Sequence, residues 1–211
     1  MIDYTLYLVT DKNLSQGRTN LAVVESAIQG GVTCVQFRDK DASREDFITE
    51  AMLLKKILAR YSIPLIINDR VDVAAEIDAD GVHLGQNDMA IEEARELLGK
   101  SKIIGISAES LEDAIEAEKK GADYIAISPV FETATKVDTA IPLGLEGVNQ
   151  IRRNVKISLV GIGGIKLENA AAIIKAGADG VAVVSAIVSA VSPEDASRQL
   201  LNTIESGLLL K

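Results

Sequence analysis

Eight short runs of aliphatic and β-branched residues recur along the 211-residue chain, at residues 6–9, 34–37, 65–67, 81–84, 103–106, 124–127, 158–160 and 181–184. Stretches with helical spacing lie between them. In 45–60 the spacing of Phe47, Ile48, Met52, Leu53, Lys55 and Lys56 is read as a helix with apolar and charged residues expected on separate faces. Stretches 111–120 and 168–176 each run into Gly-Ala-Asp, at Gly121 and Gly177, where glycine ends a helix and the next strand begins; residues 76–81 carry a weaker version. Near-continuous apolar strands fit burial on both faces, so eight strand–helix units predict an α/β fold, a closed parallel (β/α)8 TIM barrel in one domain over residues 1–211. The competing architecture is a doubly wound open sheet. That fold is expected to carry a Gly-rich nucleotide loop after its first strand, whereas Asp11, Lys12 and Asn13 follow here.

Composition narrows the function classes. A net charge of −9 argues against a nucleic-acid surface, which needs clustered Lys and Arg, and three Phe, four Tyr and no Trp leave little for base stacking. The single cysteine, Cys34, permits no internal disulfide and points to a reducing, cytoplasmic compartment, with Cys34 a small core residue. No apolar run reaches the ~18 residues of a membrane span, and the start of the chain has no signal-peptide pattern. A small anionic ligand in one pocket remains compatible with these features; the oligomeric state is not legible, and a homo-oligomer stays open.

In such barrels the active-site face is built from strand C-termini and the loops after them. Strand two exits into Gln36, Phe37, Arg38, Asp39 and Lys40, and alternation sends Gln36, Arg38 and Lys40 to one side. Buried cations cost several kcal/mol unless they meet anions, so an anionic ligand would explain them. The plainer alternative pairs Arg38 with a structural carboxylate such as Asp69 and leaves Lys40 on the surface. Strand three ends in Asn68-Asp69 and strand four is followed by Asp88, two carboxylates that could hold one Mg2+, although Asp88 could equally cap the helix starting near Ala90. Strand five ends at Ser107. The loop after strand six, with Thr133, Ala134, Thr135 and Lys136, suits phosphate oxygens or is an ordinary turn. Gly161, Gly163 and Gly164 after strand seven, and Val184-Ser185 after strand eight, read as a phosphate site, or as glycines easing tight turns. His83, the sole histidine, is expected to pack or to support the site from behind. No Cys–His or Ser–His nucleophile pair is expected, because Cys34 sits early in strand two.

These blocks, with Leu6-Tyr7-Leu8-Val9-Thr10-Asp11, Ile67-Asn68-Asp69, Gly81-Val82-His83-Leu84-Gly85-Gln86-Asn87-Asp88 and Ile104-Gly105-Ile106-Ser107, run in order across nearly the whole chain and resemble the signature blocks of the thiamine-phosphate synthase family. The resemblance implies a transferase that joins 4-amino-2-methyl-5-hydroxymethylpyrimidine diphosphate to hydroxyethylthiazole phosphate, or its carboxylated form, releasing pyrophosphate. By position it implies that Gln36, Arg38, Lys40, Asn68, Ser107 and Lys136 contact the diphosphate substrate, with Arg38, Lys40, Ser107 and Lys136 catalytic. It further implies that Asp69 and Asp88 hold magnesium, and that Thr133, Ala134, Thr135, Gly164, Val184 and Ser185 hold the thiazole phosphate. The implied mechanism is dissociative. Two other readings stand beside it: a thiazole tautomerase on the same barrel, which needs only the phosphate loops, and a non-catalytic phosphate-binding barrel.

Overall fold

A strand buried on both faces can satisfy its backbone only through neighbours, and eight of them meet that demand by closing into a ring. The computed structural model describes residues 2–133 and 140–209. Its strands are β1 (Leu6–Val9), β2 (Cys34–Phe37), β3 (Leu65–Asn68), β4 (Gly81–Leu84), β5 (Ile103–Ala108), β6 (Tyr124–Ile127), β7 (Ser158–Ile162) and β8 (Gly180–Val183). Each pairs in parallel with the next, and β1 pairs with β8, so the barrel predicted from the alternation is present. The expected eighth strand ran one residue too far: the backbone turns at Val184 (φ −110°, ψ −85°).

The helices are α1 (Asn20–Gln29), α2 (Arg44–Ala59), α3 (Val71–Glu76), α4 (Ile91–Leu98), α5 (Leu111–Lys119), α6 (Gly144–Asn154), α7 (Leu167–Lys175), α8 (Ser185–Val188) and α9 (Pro193–Leu208). Thr19, Ser43, Ser110 and Ser192 cap α1, α2, α5 and α9 by accepting from backbone N–H groups three residues on. Gly121 (φ 87°) and Gly177 (φ 120°) leave α5 and α7 through left-handed backbone, as their helix-exit pattern predicts. Among the described residues no helix is long and apolar enough to cross a membrane.

The aspartates just before three strands act as staples. Asp80 Oδ2 accepts from Leu65 N (2.8 Å), Asp123 Oδ2 from Ile104 N (2.7 Å) and Asp179 Oδ2 from Leu159 N (2.9 Å). Each carboxylate therefore binds the start of the neighbouring strand, and Thr33 Oγ1 does the same for Leu6 N (3.1 Å). Asp123 and Asp179 are in turn held by Arg95 and Arg152. These contacts fix register at the end of the barrel where the strands begin.

Outward strand residues such as Leu8, Val35, Ile67, Val82 and Leu159 pack under the helices, while Tyr7, Cys34, Ile66, Tyr124, Val160 and Ala182 fill the barrel. Tyr124 lies at the centre, its ring centroid 4.6 Å from that of Tyr4 and 5.9 Å from that of Tyr7. Space for it comes from the neighbouring Gly105, where a Cβ would lie 2.0 Å from Tyr124 Cζ. Gly105→Ala is expected to cost about 1–3 kcal/mol of overpacking. In urea unfolding this reads as a lower midpoint at unchanged slope.

Candidate active site

The strand C-termini open into a cavity of about 470 Å3. Every substrate or metal residue implied by the family resemblance that lies within the described residues lines it, namely Gln36, Arg38, Lys40, Asn68, Asp69, Asp88, Ser107, Thr133, Gly164, Val184 and Ser185, whereas Gly161, also read as part of the phosphate site, does not and faces Ile173 instead. Ala134, Thr135 and Lys136 lie outside the described residues.

Strand β2 delivers the cations. Arg38 is anchored by its backbone, with Thr10 Oγ1 accepting from Arg38 N (2.9 Å) and donating to Arg38 O (3.1 Å). Its guanidinium donates to Asp11 Oδ2 at 3.0 Å, so the carboxylate that meets it comes from the loop after β1 and is not Asp69. Asp39 points the other way; its Oδ1 accepts from Asp41 N and Ala42 N and shapes the loop that carries Lys40. Lys40 Nζ lies 3.7 Å from Asp69 Oδ2.

Strands β3 and β4 deliver the carboxylates. Asp69 has φ 60°, a left-handed conformation that a non-glycine residue adopts at some strain, and its N–H donates to His83 O (2.9 Å). Asn68 Nδ2 donates to Asp69 Oδ1 (2.6 Å). Asp88 does not cap α4, whose N-cap is Ala90 without a side-chain bond; Asp88 Oδ2 instead accepts from Gly85 N at 2.6 Å, which holds it at the rim. Burial, followed by the nearby Asp88 charge, pushes the Asp69 carboxyl up from 3.8 to about 6, against the pull of Lys40 and Arg38. Among the described residues no cluster of three or more His, Cys, Asp or Glu side chains could hold a metal. A carboxylate pair that resists carrying two negative charges fits a hard cation such as magnesium, which takes one or two protein carboxylates and completes its shell with water and phosphate.

On the opposite side β7 exits through Gly163 (φ 97°) and Gly164 (φ 64°). A Cβ on Gly163 would lie 2.6 Å from Pro129 Cβ, and one on Gly164 would lie 2.4 Å from Glu132 O. Glycine is thus demanded by the fold here, and it also leaves bare backbone facing the cavity. Asn169 Nδ2 secures the turn by donating to Gly164 O (3.0 Å).

Sequence reasoning expected His83 to pack or to support the site from behind and missed the buried chain it belongs to, which reaches the cavity wall at Gln36, His83 and Ser107. Gln36 Nε2 donates to Tyr7 Oη (3.0 Å), and Tyr7 Oη meets Tyr124 Oη at 2.9 Å. Tyr124 Oη meets His83 Nδ1 at 2.9 Å, and His83 Nε2 meets Ser107 Oγ at 2.9 Å. The sequence signal was only that inward positions of β1, β4 and β6 are polar-tipped. Burial drives both phenols far above their ordinary value, so each remains protonated.

Because Asp69 binds its proton more tightly folded than unfolded, its contribution to stability is full below 3.8 and is lost as pH rises through about 6. Asp88→Asn removes a charge that raises it, so a carboxyl NMR titration of the metal-free variant is expected to find Asp69 nearer 3.8. An unmoved titration would show that the two carboxylates do not interact.

Comparison with known proteins agrees with this geometry. A family profile described as thiamine monophosphate synthase matches residues 6–187. A protein named thiamine-phosphate synthase from Chloroflexus aurantiacus is 52% identical over 200 residues, covering 95% of this chain and 92% of its own. One of the same name from Clostridium acetobutylicum is 50% identical over 206 residues, covering 98% and 97%. The solved structure of a thiamine phosphate pyrophosphorylase from Pyrococcus furiosus matches with a TM-score of 0.90 at 41% identity over 98% of both chains. A profile over most of the chain and relatives this similar along nearly its whole length show that it belongs to the thiamine monophosphate synthase family.

Proposed function

We propose that this chain joins 4-amino-2-methyl-5-hydroxymethylpyrimidine diphosphate to hydroxyethylthiazole phosphate, or its carboxylated form, and releases thiamine phosphate and pyrophosphate. The observation that carries the reading is the convergence of Arg38, Lys40, Asp69 and Asp88, drawn from three strand ends, on one cavity whose far wall is the Gly163–Gly164 turn. A thiazole tautomerase would need the phosphate wall alone and has no use for the cation and carboxylate set.

The bond that breaks joins the pyrimidine methylene carbon to the diphosphate oxygen, and its electron pair leaves with pyrophosphate. The electron-rich aminopyrimidine stabilises the methylene cation, and the thiazole nitrogen supplies the electron pair for the new C–N bond. No protein nucleophile is needed. Arg38 and Lys40 meet the oxygens on which negative charge accumulates, a role the family resemblance also gives to Lys136, and fixed charge placed there lowers the barrier most. Asp69 and Asp88 would hold a magnesium ion, which would supply further positive charge to the diphosphate. Gln36, Asn68 and Ser107 orient the pyrimidine end. Thr133, Ala134, Thr135, Gly164, Val184 and Ser185 hold the thiazole phosphate so that the nitrogen lies in line with the departing oxygen. Cys34, buried in the barrel, fits a reducing, cytoplasmic setting.

Mixing the two substrates with protein and magnesium is expected to yield thiamine phosphate, and a chelator is expected to stop it. Absence of product overturns the function, and chelator-insensitive product overturns the metal. Lys136→Ala is expected to lower turnover by about 10²-fold, the scale of losing one preorganised charge contact. Ser185→Ala should raise KM for the thiazole phosphate while kcat at saturation changes little, so a large loss of kcat would remove Ser185 from phosphate binding.

A further inference from the structure

The buried chain from Gln36 through Tyr7, Tyr124 and His83 to Ser107 has a direction. The Gln36 amide nitrogen can only donate, so the oxygen of Tyr7 accepts; of the two groups left beside that oxygen, Cys34 offers only a weak sulfur acceptor, so the single phenolic proton of Tyr7 goes onward to Tyr124. Tyr124 in turn has one proton, and the remaining neighbour of its oxygen is His83 Nδ1. A ring nitrogen that accepts carries no proton, so His83 is neutral with its proton on Nε2, which donates to Ser107 Oγ. Ser107 is then left with its own proton to give, and Gln36 with its Oε1 to accept. Both residues line the cavity.

We propose that Tyr7, Tyr124 and His83 are positioning residues that set the polarity of the pyrimidine end of the site, fixing Gln36 Oε1 as an acceptor and the Ser107 hydroxyl as a donor. This rests on the proposed function for the identity of the ligand. An acceptor at Gln36 matches the N–H of an amino-substituted pyrimidine and repels the carbonyl oxygen of an oxo-substituted one. Reversing any one link would force the others to reverse, because each phenol and the neutral imidazole have one proton apiece. A lone glutamine could rotate its amide to suit either ring. Tied to this chain, it selects one, since rejection then leaves a buried polar pair unmatched. Tyr7 and Tyr124 are not among the residues lining the cavity and act through Gln36 and Ser107.

Because His83 is the only histidine, an untagged, 15N-labelled wild-type protein gives one imidazole pattern that reports its tautomer directly. Protonated Nε2 with bare Nδ1 is expected. Protonation at Nδ1, alone or as imidazolium, overturns the polarity whatever the enzyme turns over. The second measurement compares kcat/KM for the 4-amino pyrimidine diphosphate and its 4-oxo counterpart in wild type, Tyr7→Phe and Tyr124→Phe. Freeing the glutamine amide in Tyr7→Phe should shrink the preference for the amino substrate by about tenfold or more, the scale of one hydrogen bond. Tyr124→Phe should raise KM for the pyrimidine diphosphate and leave KM for the thiazole phosphate unchanged. Its effect should largely vanish in a Ser107→Ala background, where its target is gone. A preference unchanged in both Phe variants overturns the proposal, as does a full Tyr124→Phe effect without Ser107. Should neither variant fold, the wild-type tautomer decides. A wild type that forms no thiamine phosphate sinks the proposed function and leaves the tautomer to judge the polarity independently.

Discussion

The pairing of β1 with β8 is the contact on which the rest of the molecule depends. It removes both edges of the sheet and brings together, around one mouth, residues that lie far apart along the chain. Thr10 and Arg38 then share a hydroxyl across β1 and β2, while Asp69 takes a carbonyl from β4. Without closure the cations leaving β2 and the carboxylates leaving β3 and β4 would still be neighbours, but the glycine turn after β7 would have no cavity to face.

Closure also sets a packing problem that the tyrosines solve. An eight-stranded barrel has an interior only wide enough for side chains to fill, and here three tyrosine rings fill much of it, with Gly105 making room. Their rings supply volume, but a phenol sealed from water must find a partner or lose about 1–3 kcal/mol. Tyr7 and Tyr124 find each other and, beyond that, Gln36 and His83. The filling of the core and the wiring beneath the site are therefore one arrangement.

Different parts of this were legible in the sequence for different reasons. The strands could be read because burial on both faces leaves a continuous apolar signature, and the barrel because the helix-exit glycines repeat. The end of β8 could not, since Val184 is as apolar as the strand it leaves and only its backbone angles mark the turn. Arg38, Lys40, Asp69 and Asp88 were legible because charge at a strand exit violates core chemistry. Their partners were less so: the role of Asp11 depends on the register of β1 against β2, and the hold of Asp88 on Gly85 depends on a turn. Tyr7 and Tyr124 looked like ordinary strand residues and His83 was legible only as a packing or supporting residue, because a hydrogen-bonded chain across β1, β2, β4, β5 and β6 has no signature in local spacing. Ala134, Thr135 and Lys136 were readable as part of a loop that suits phosphate oxygens, their individual roles came only from family resemblance, and they fall outside the described residues.

The carboxylate staples at Asp80, Asp123 and Asp179 grip the barrel at the end away from the cavity. Strand alignment is thereby anchored from below, by groups that no ligand needs. Loops above can lengthen, shorten or exchange side chains over generations without letting neighbouring strands slip. Durability and chemistry are consequently inherited as separate traits, so a lineage can explore new ligands at one rim while the opposite floor keeps the scaffold in alignment.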